Sequence, residues 1–237
     1  MKLRSIELAL PDPGSAAAFL VDIWGMAPSA SCDGSIYLRG SGVYPYLVAL
    51  HEAEVEHVRS TTFVCGEEEL AGLAGRVAAV GWPARAVQSR DPGGGSGLGI
   101  ELPEGEIFRF LKGASEVEPI EGRDLPVKLT HVVFNSQDAE ATGQAAEKVL
   151  GFRVSDRTKG MVFVRCNESH HSTAFARASL PSLNHIAFEM YDMDAVMRGI
   201  GRLRDHGMVP SWGPGRHGPG DNVFAYFIAP FGPVVEF

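Results

Sequence analysis

Short runs along this chain alternate apolar and polar residues, and the runs of the first half return in the second half in the same order. RSIELALPD (residues 4–12) aligns with LTHVVFNSQ (129–137), VRSTTFVC (58–65) with LNHIAFEM (183–190), and LPEGEIFRF (102–110) with APFGPVVEF (229–237). Alternation of period two marks a half-buried strand, so each run predicts one, with His131 and Val133 on one face and Val132 and Phe134 on the other. AAAFLVDIWGM aligns with QAAEKVLGF, setting Gly25 opposite Gly151. The later copy predicts a helix over 138–150, with Asp138 as N-cap and Gly151 as its stop. A β-branched strand over 161–165 follows. After LNHIAFEM come a second helix over 194–206, ending at Gly207, and a closing hairpin that turns at 230–232.

Self-similarity on this scale organises a whole fold. It predicts an α+β chain of two tandem domains, residues 1–115 and 125–237, each a pair of βαβββ modules, with a short acidic linker over 116–124. It also sets Ile6, Ser60 and Arg109 opposite His131, His185 and Glu236.

Composition narrows the function classes. The 237 residues suffice for two compact domains, and 45% hydrophobic residues supply their cores. A formal charge of −8 argues against a nucleic-acid partner. Cys32, Cys65 and Cys166 are an odd number without CxxC spacing, which predicts reduced structural thiols in a cytoplasmic protein. The start, MKLRSIELALPDPG, has no signal-peptide core, and no run reaches the ~20 apolar residues of a membrane span.

Most of the eight histidines lie in the second half. His131 and His185 sit in mid-strand among apolar neighbours, and Glu236 sits between Val235 and Phe237. Each would be costly to bury unpaired. One divalent cation would satisfy all three, and the first half, with Ile6, Ser60 and Arg109, offers no such set. Two imidazoles and one carboxylate leave coordination positions open, which is the ligand set of non-haem iron(II) oxygenases and not that of a closed structural zinc site.

With LTHVVF, HHSTAF, LNHIAFE and GPGRHGPGDNVFAYFIAPFGPVVEF in place, the second half resembles the extradiol catechol dioxygenases of the vicinal oxygen chelate superfamily. The resemblance runs strongly over residues 127–237 and, in degenerate form, over 1–113. Its most specific part is His217, Tyr226 and Glu236, spaced as the family pattern has them. It implies a curved mixed sheet around a pocket in each domain. It further implies Fe(II), or Mn(II) in some relatives, on His131, His185 and Glu236, with His171 as acid–base residue and His217 and Tyr226 on the bound catechol. The implied partners are a catecholic substrate and O2, in a homo-oligomer. His171 and not His170 begins the HxxAF pattern, and alternation along a strand would point the two rings to opposite faces. Relatives continue beyond the position of Phe237 with residues that cover part of the pocket.

The run DPGGGSGLG from Asp91 lacks Gly-Lys-Ser/Thr and precedes a strand, which excludes a phosphate loop. Two other functions use this fold: a ligand-sequestering module, which needs no acid–base histidine, and a glyoxalase-like metal isomerase, which needs a fourth protein ligand.

Overall fold

The computed structural model describes residues 1–32 and 34–237; the side chain of Cys32 lies outside the described residues, and with it the expectation for that thiol. The first half consists of β1 (Lys2–Leu10), α1 (Pro13–Ala18) running into a π-helical turn (Phe19–Trp24), β2 (Ala27–Cys32), β3 (Ser35–Arg39), β4 (Val48–Glu52), β5 (His57–Val64), α2 (Glu67–Val80), β6 (Ala84–Gln88), β7 (Ser96–Glu101) and β8 (Ile107–Lys112). The second repeats it with β9 (Lys128–Ser136), α3 (Ala139–Ala145) running into a π-helical turn (Ala146–Leu150), β10 (Arg153–Arg157), β11 (Met161–Arg165), β12 (Thr173–Arg177), β13 (Ser182–Glu189), α4 (Met193–Asp205), β14 (Trp212–Arg216), β15 (Val223–Ile228) and β16 (Val234–Glu236). Each half forms one mixed eight-stranded sheet of two βαβββ modules, in the orders β2-β3-β4-β1-β5-β8-β7-β6 and β10-β11-β12-β9-β13-β16-β15-β14.

The two faces of each sheet differ in chemistry, as period two requires. Ile6, Val132, Ile186 and Val235 join one apolar core that extends through both halves. The opposite face turns inward on polar side chains: Ser5, Glu7 and Ser60 in the first half, His131, His185 and Glu236 in the second, all buried.

Strand pairing corrects one sequence expectation. Ser5 pairs with Thr62, and Thr62 with Arg109. His131 pairs with Ala187, and Ala187 with Glu236, with bulges at matching places. The counterpart of His131 is therefore Ser5 and not Ile6, whose side chain enters the apolar core. A slip of one residue exchanges the two faces of a strand, and aligning the apolar pattern alone missed it. Ser60 and Arg109 hold the positions expected of them.

The helices are capped as the sequence predicts. Asp138 accepts a hydrogen bond from Ala141 N (3.1 Å), and Gly151 takes the left-handed conformation (φ 78°) at the other end. Each helical segment also leans on the other half. Arg202 of α4 donates to the carbonyls of Ile23 (2.7 Å) and Trp24, and Arg76 of α2 donates to that of Val149 (2.9 Å). An arginine from each half thus satisfies the C-terminal carbonyls of the other half's helix. Trp24, fully buried, stacks on Phe237.

The connection over 116–124 is tied down by Arg39 on the Glu118 carbonyl (2.9 Å) and Arg198 on the Asp124 carboxylate (2.6 Å). Cys65 and Cys166 are free thiols, both pushed up in pKa by burial. Among the described residues no helix is long and apolar enough to cross a membrane. The glycine run forms the β6–β7 turn, with Gly93, Gly94 and Gly95 all at positive φ.

Candidate metal centre and substrate cavity

β13 runs between β9 and β16, and its register brings three donors to one place. His131 and Glu236 both lie opposite Ala187, one on each side, and His185 is two residues away on the same face. His131 Nε2 is 3.3 Å from His185 Nε2 and 3.0 Å from Glu236 Oε2, and His185 Nε2 is 3.2 Å from that same oxygen. For bonds of about 2.1 Å, adjacent donors on an octahedral face lie about 3.0 Å apart and tetrahedral ones about 3.4 Å. The three atoms are spaced as one side of a cation's coordination shell.

The hydrogen-bond pattern around them calls for positive charge. Asn135 Nδ2 donates to Ser182 Oγ (2.8 Å), and Asn184 Nδ2 donates to Asn135 Oδ1 (2.7 Å). That chain fixes Asn184 Oδ1 toward His185 Nδ1 (2.7 Å), so Nδ1 carries the hydrogen and Nε2 a lone pair. A lone pair on His185 Nε2 facing a carboxylate oxygen is repulsive unless a cation sits between them. Protonating His185 is the alternative, but burial drives its pKa down. Burial also works against ionising Glu236, yet contacts from His131, His185 and His217 prevail and hold its carboxyl well below the usual range. Glu236 Oε1 is buried with no hydrogen bond. The residues fit a divalent metal, and among the described residues they form the candidate cluster of three such donors.

Around this point the structure brings together the other residues singled out in the sequence. The His171 ring packs on His131 (centroids 4.1 Å), and Tyr226 meets His185 edge-on (5.0 Å). His217 Nε2 lies 3.0 Å from Tyr226 Oη and 3.4 Å from Glu236 Oε1, its ring stacked on Phe224 at 3.7 Å. Burial, then the nearby Glu236, pushes the Tyr226 pKa far up, so Tyr226 keeps its O–H. Burial first, then His131 and His170, brings the His171 pKa down to about 2, so it is a neutral imidazole at ordinary pH. His171, His217 and Tyr226 line a cavity of about 60 Å³ together with His131 and His185, with Val133, Met161, Phe163 and Pro219 as its apolar wall.

One expectation fails here. His170 and His171 do not point to opposite faces: their Nδ1 atoms are 3.0 Å apart. The segment leaves the sheet before β12 begins at Thr173, so strand alternation does not govern it. The Asn135–Asn184 chain was not foreseen either; Asn184 beside His185 in LNHIAFE was the available signal.

A family model described as Glyoxalase/Bleomycin resistance protein/Dioxygenase superfamily matches residues 128–237. The solved structure of a Mn(II)-bound glyoxalase from Novosphingobium aromaticivorans is 30% identical, with a TM-score of 0.93 over 99% of this chain and 80% of the other. Metapyrocatechase 2 of Cupriavidus necator is 26% identical over 97% of this chain and 78% of its own. A biphenyl-2,3-diol 1,2-dioxygenase of Metapseudomonas furukawaii is 31% identical over 60% of this chain, which spans 50% of that relative.

Proposed function

The chain belongs to the Glyoxalase/Bleomycin resistance protein/Dioxygenase superfamily, and we propose that it is an extradiol ring-cleavage dioxygenase using Fe(II), or Mn(II) in its place. It would insert both atoms of O2 into a catechol beside the vicinal hydroxyls, giving a hydroxymuconate-semialdehyde type product. The observation that supports this best is the His131–His185–Glu236 cluster, whose two histidines line a cavity together with His171, His217 and Tyr226. The relatives named metapyrocatechase and biphenyl-2,3-diol dioxygenase point the same way.

Bound to His131, His185 and Glu236, the metal would supply adjacent open positions for a diol and O2 and a route for electrons between them. The protein's own groups do the rest. A catechol must lose a proton to chelate, and the negative charge it then carries would raise the His171 pKa from the low value that burial sets, so that this imidazole can hold a proton and return it. Tyr226, still a phenol, can donate to the substrate oxyanion, and His217 holds that phenol in place. Val133, Met161 and Phe163 exclude water from the ring.

The glyoxalase name of one relative gives a second reading, a metal isomerase. Among the described residues, three clustered protein donors and not four argue against it. Loading the protein anaerobically with Fe(II) or Mn(II) and measuring oxygen uptake with catechol tests the first reading, and the hemithioacetal of methylglyoxal tests the second. A yellow product with O2 consumed is expected. Isomerisation without oxygen uptake would replace the dioxygenase reading.

A further inference from the structure

We propose that His170 and Asp156 are positioning residues for His171: His170 accepts the hydrogen of His171 Nδ1, Asp156 holds His170 in the tautomer that can do so, and His171 Nε2 is left as a bare lone pair. The acid–base role this gives His171 rests on the dioxygenase reading; the hydrogen-bond assignment does not.

Two ring nitrogens, His170 Nδ1 and His171 Nδ1, lie 3.0 Å apart. One of them must donate and the other accept. On the far side of His170, Asp156 Oδ2 lies 3.6 Å from Nε2. A carboxylate only accepts, so it favours hydrogen on His170 Nε2, and a neutral imidazole with hydrogen there accepts at Nδ1. The shared hydrogen then belongs to His171 Nδ1. No protein group among the described residues hydrogen-bonds the remaining nitrogen of His171, whose ring lines the cavity beside His131.

The surroundings hold this arrangement. Phe163 packs on both rings, at 5.8 Å from His170 and 5.1 Å from His171. Gly220, at φ +81°, passes so close that a Cβ there would sit 3.1 Å from His170 Nδ1. The loop that carries His217 therefore also clamps His170. Asp156 follows a register shift in the pairing of β10 with β11. The first half has the same irregularity in β2 but places Ala30 after it, and its Tyr46 stands where His171 does: the Leu47 carbonyl accepts from Ile6 N as that of Ser172 accepts from Val132 N. The acid and the imidazole pair occur together in the half that holds the metal donors.

The test reads the tautomer directly. Protein with ¹⁵N-labelled histidine, loaded with diamagnetic Zn(II), should show His171 hydrogen-bearing at Nδ1. His170→Phe should lose that assignment, His170→Gln should keep it through the amide oxygen, and Asp156→Asn should weaken it, all with unchanged Zn(II) content. With Fe(II) and catechol, His170→Phe should lower kcat about tenfold, part of what a well-placed general base supplies, with KM little changed and His170→Gln partly restored. A parent His171 protonated at Nε2 would overturn the proposal, as would His170→Phe leaving both tautomer and kcat as in the parent. If the parent cleaves no catechol while His171 keeps its Nδ1 hydrogen on His170, the positioning holds and the dioxygenase reading falls. Should His170→Phe not fold, Asp156→Asn and the parent spectrum still decide.

Discussion

Trp24 of the first half stacks on Phe237 of the second, ring centroids 3.9 Å apart and planes 14° from parallel. Phe237 follows Glu236 directly, so the last donor of the proposed metal set is anchored by an aromatic pair that spans both halves. Gly199 of α4 leaves the space: a Cβ there would lie 2.7 Å from the Phe237 ring.

Trp24→Ala should therefore act twice. Removing a fully buried indole should cost about 3–5 kcal/mol of stability. It should also weaken metal binding, although Trp24 touches no donor, because Phe237 loses its support. Urea unfolding and a Mn(II) titration read the two effects. Full Mn(II) affinity in a destabilised variant would show that the β16 backbone alone orients Glu236.

A second expectation concerns Asn184. Its amide oxygen orders the His185 Nδ1 hydrogen and so aims the lone pair of Nε2 inward. Asn184→Leu should reduce metal affinity by about 10- to 100-fold, the usual cost of losing such a support. Asn184→Asp should retain or raise it. Equal affinity in the leucine variant would mean that packing, not the hydrogen bond, sets the imidazole.

Tyr226→Phe should keep the metal and lose rate. The hydroxyl contacts His217 and neighbours Glu236 but is not itself one of the three clustered donors, and it remains a phenol because burial and Glu236 oppose its ionisation. Loss of one donor to a developing oxyanion costs about 100- to 1000-fold in kcat. Steady-state oxygen uptake beside metal analysis checks this, and unchanged kinetics would reduce Tyr226 to a packing residue stacked on Trp212.

What could be read from the sequence was what local chemistry dictates. Period-two runs gave the strands that hold His131, His185 and Glu236, and Asp138 and Gly151 bounded their helix, because caps and alternation are properties of neighbouring residues. What escaped depended on partners across strands. The bulges that make Ser5 the counterpart of His131 leave no mark in apolar patterning, since Ile6 continues the alternation as well as Ser5 does. The lock on His185 needs Asn135 from another strand. His170 was misplaced because the chain stops being a strand there.

Arg109 supplies the last prediction, because it fills in the first half the position that Glu236 fills in the second. Its guanidinium, side chain 12% exposed, pairs with Glu7 and with Asp91 (2.6 Å), so a buried cation again faces carboxylates. Arg109→Met removes the cation and leaves two buried acids without a guanidinium partner, Glu7 beside His51 and Asp91 on the hydroxyls of Ser89, Tyr37 and Tyr46, which should cost about 3–5 kcal/mol at neutral pH. The pH dependence should change sign. In the parent, burial opposes ionising Asp91, but Arg109 prevails and holds its pKa below the ordinary 3.8. That contribution is present above pH 3.8 and disappears as pH falls through the lower folded value. In the variant the buried acid takes up a proton more readily folded than unfolded, so stability should rise as pH falls from 7 toward 4.5. Urea unfolding at the two pH values should show the gap between parent and variant narrowing, with Mn(II) binding in the second half intact. A gap independent of pH would mean that Arg109 stabilises by packing alone.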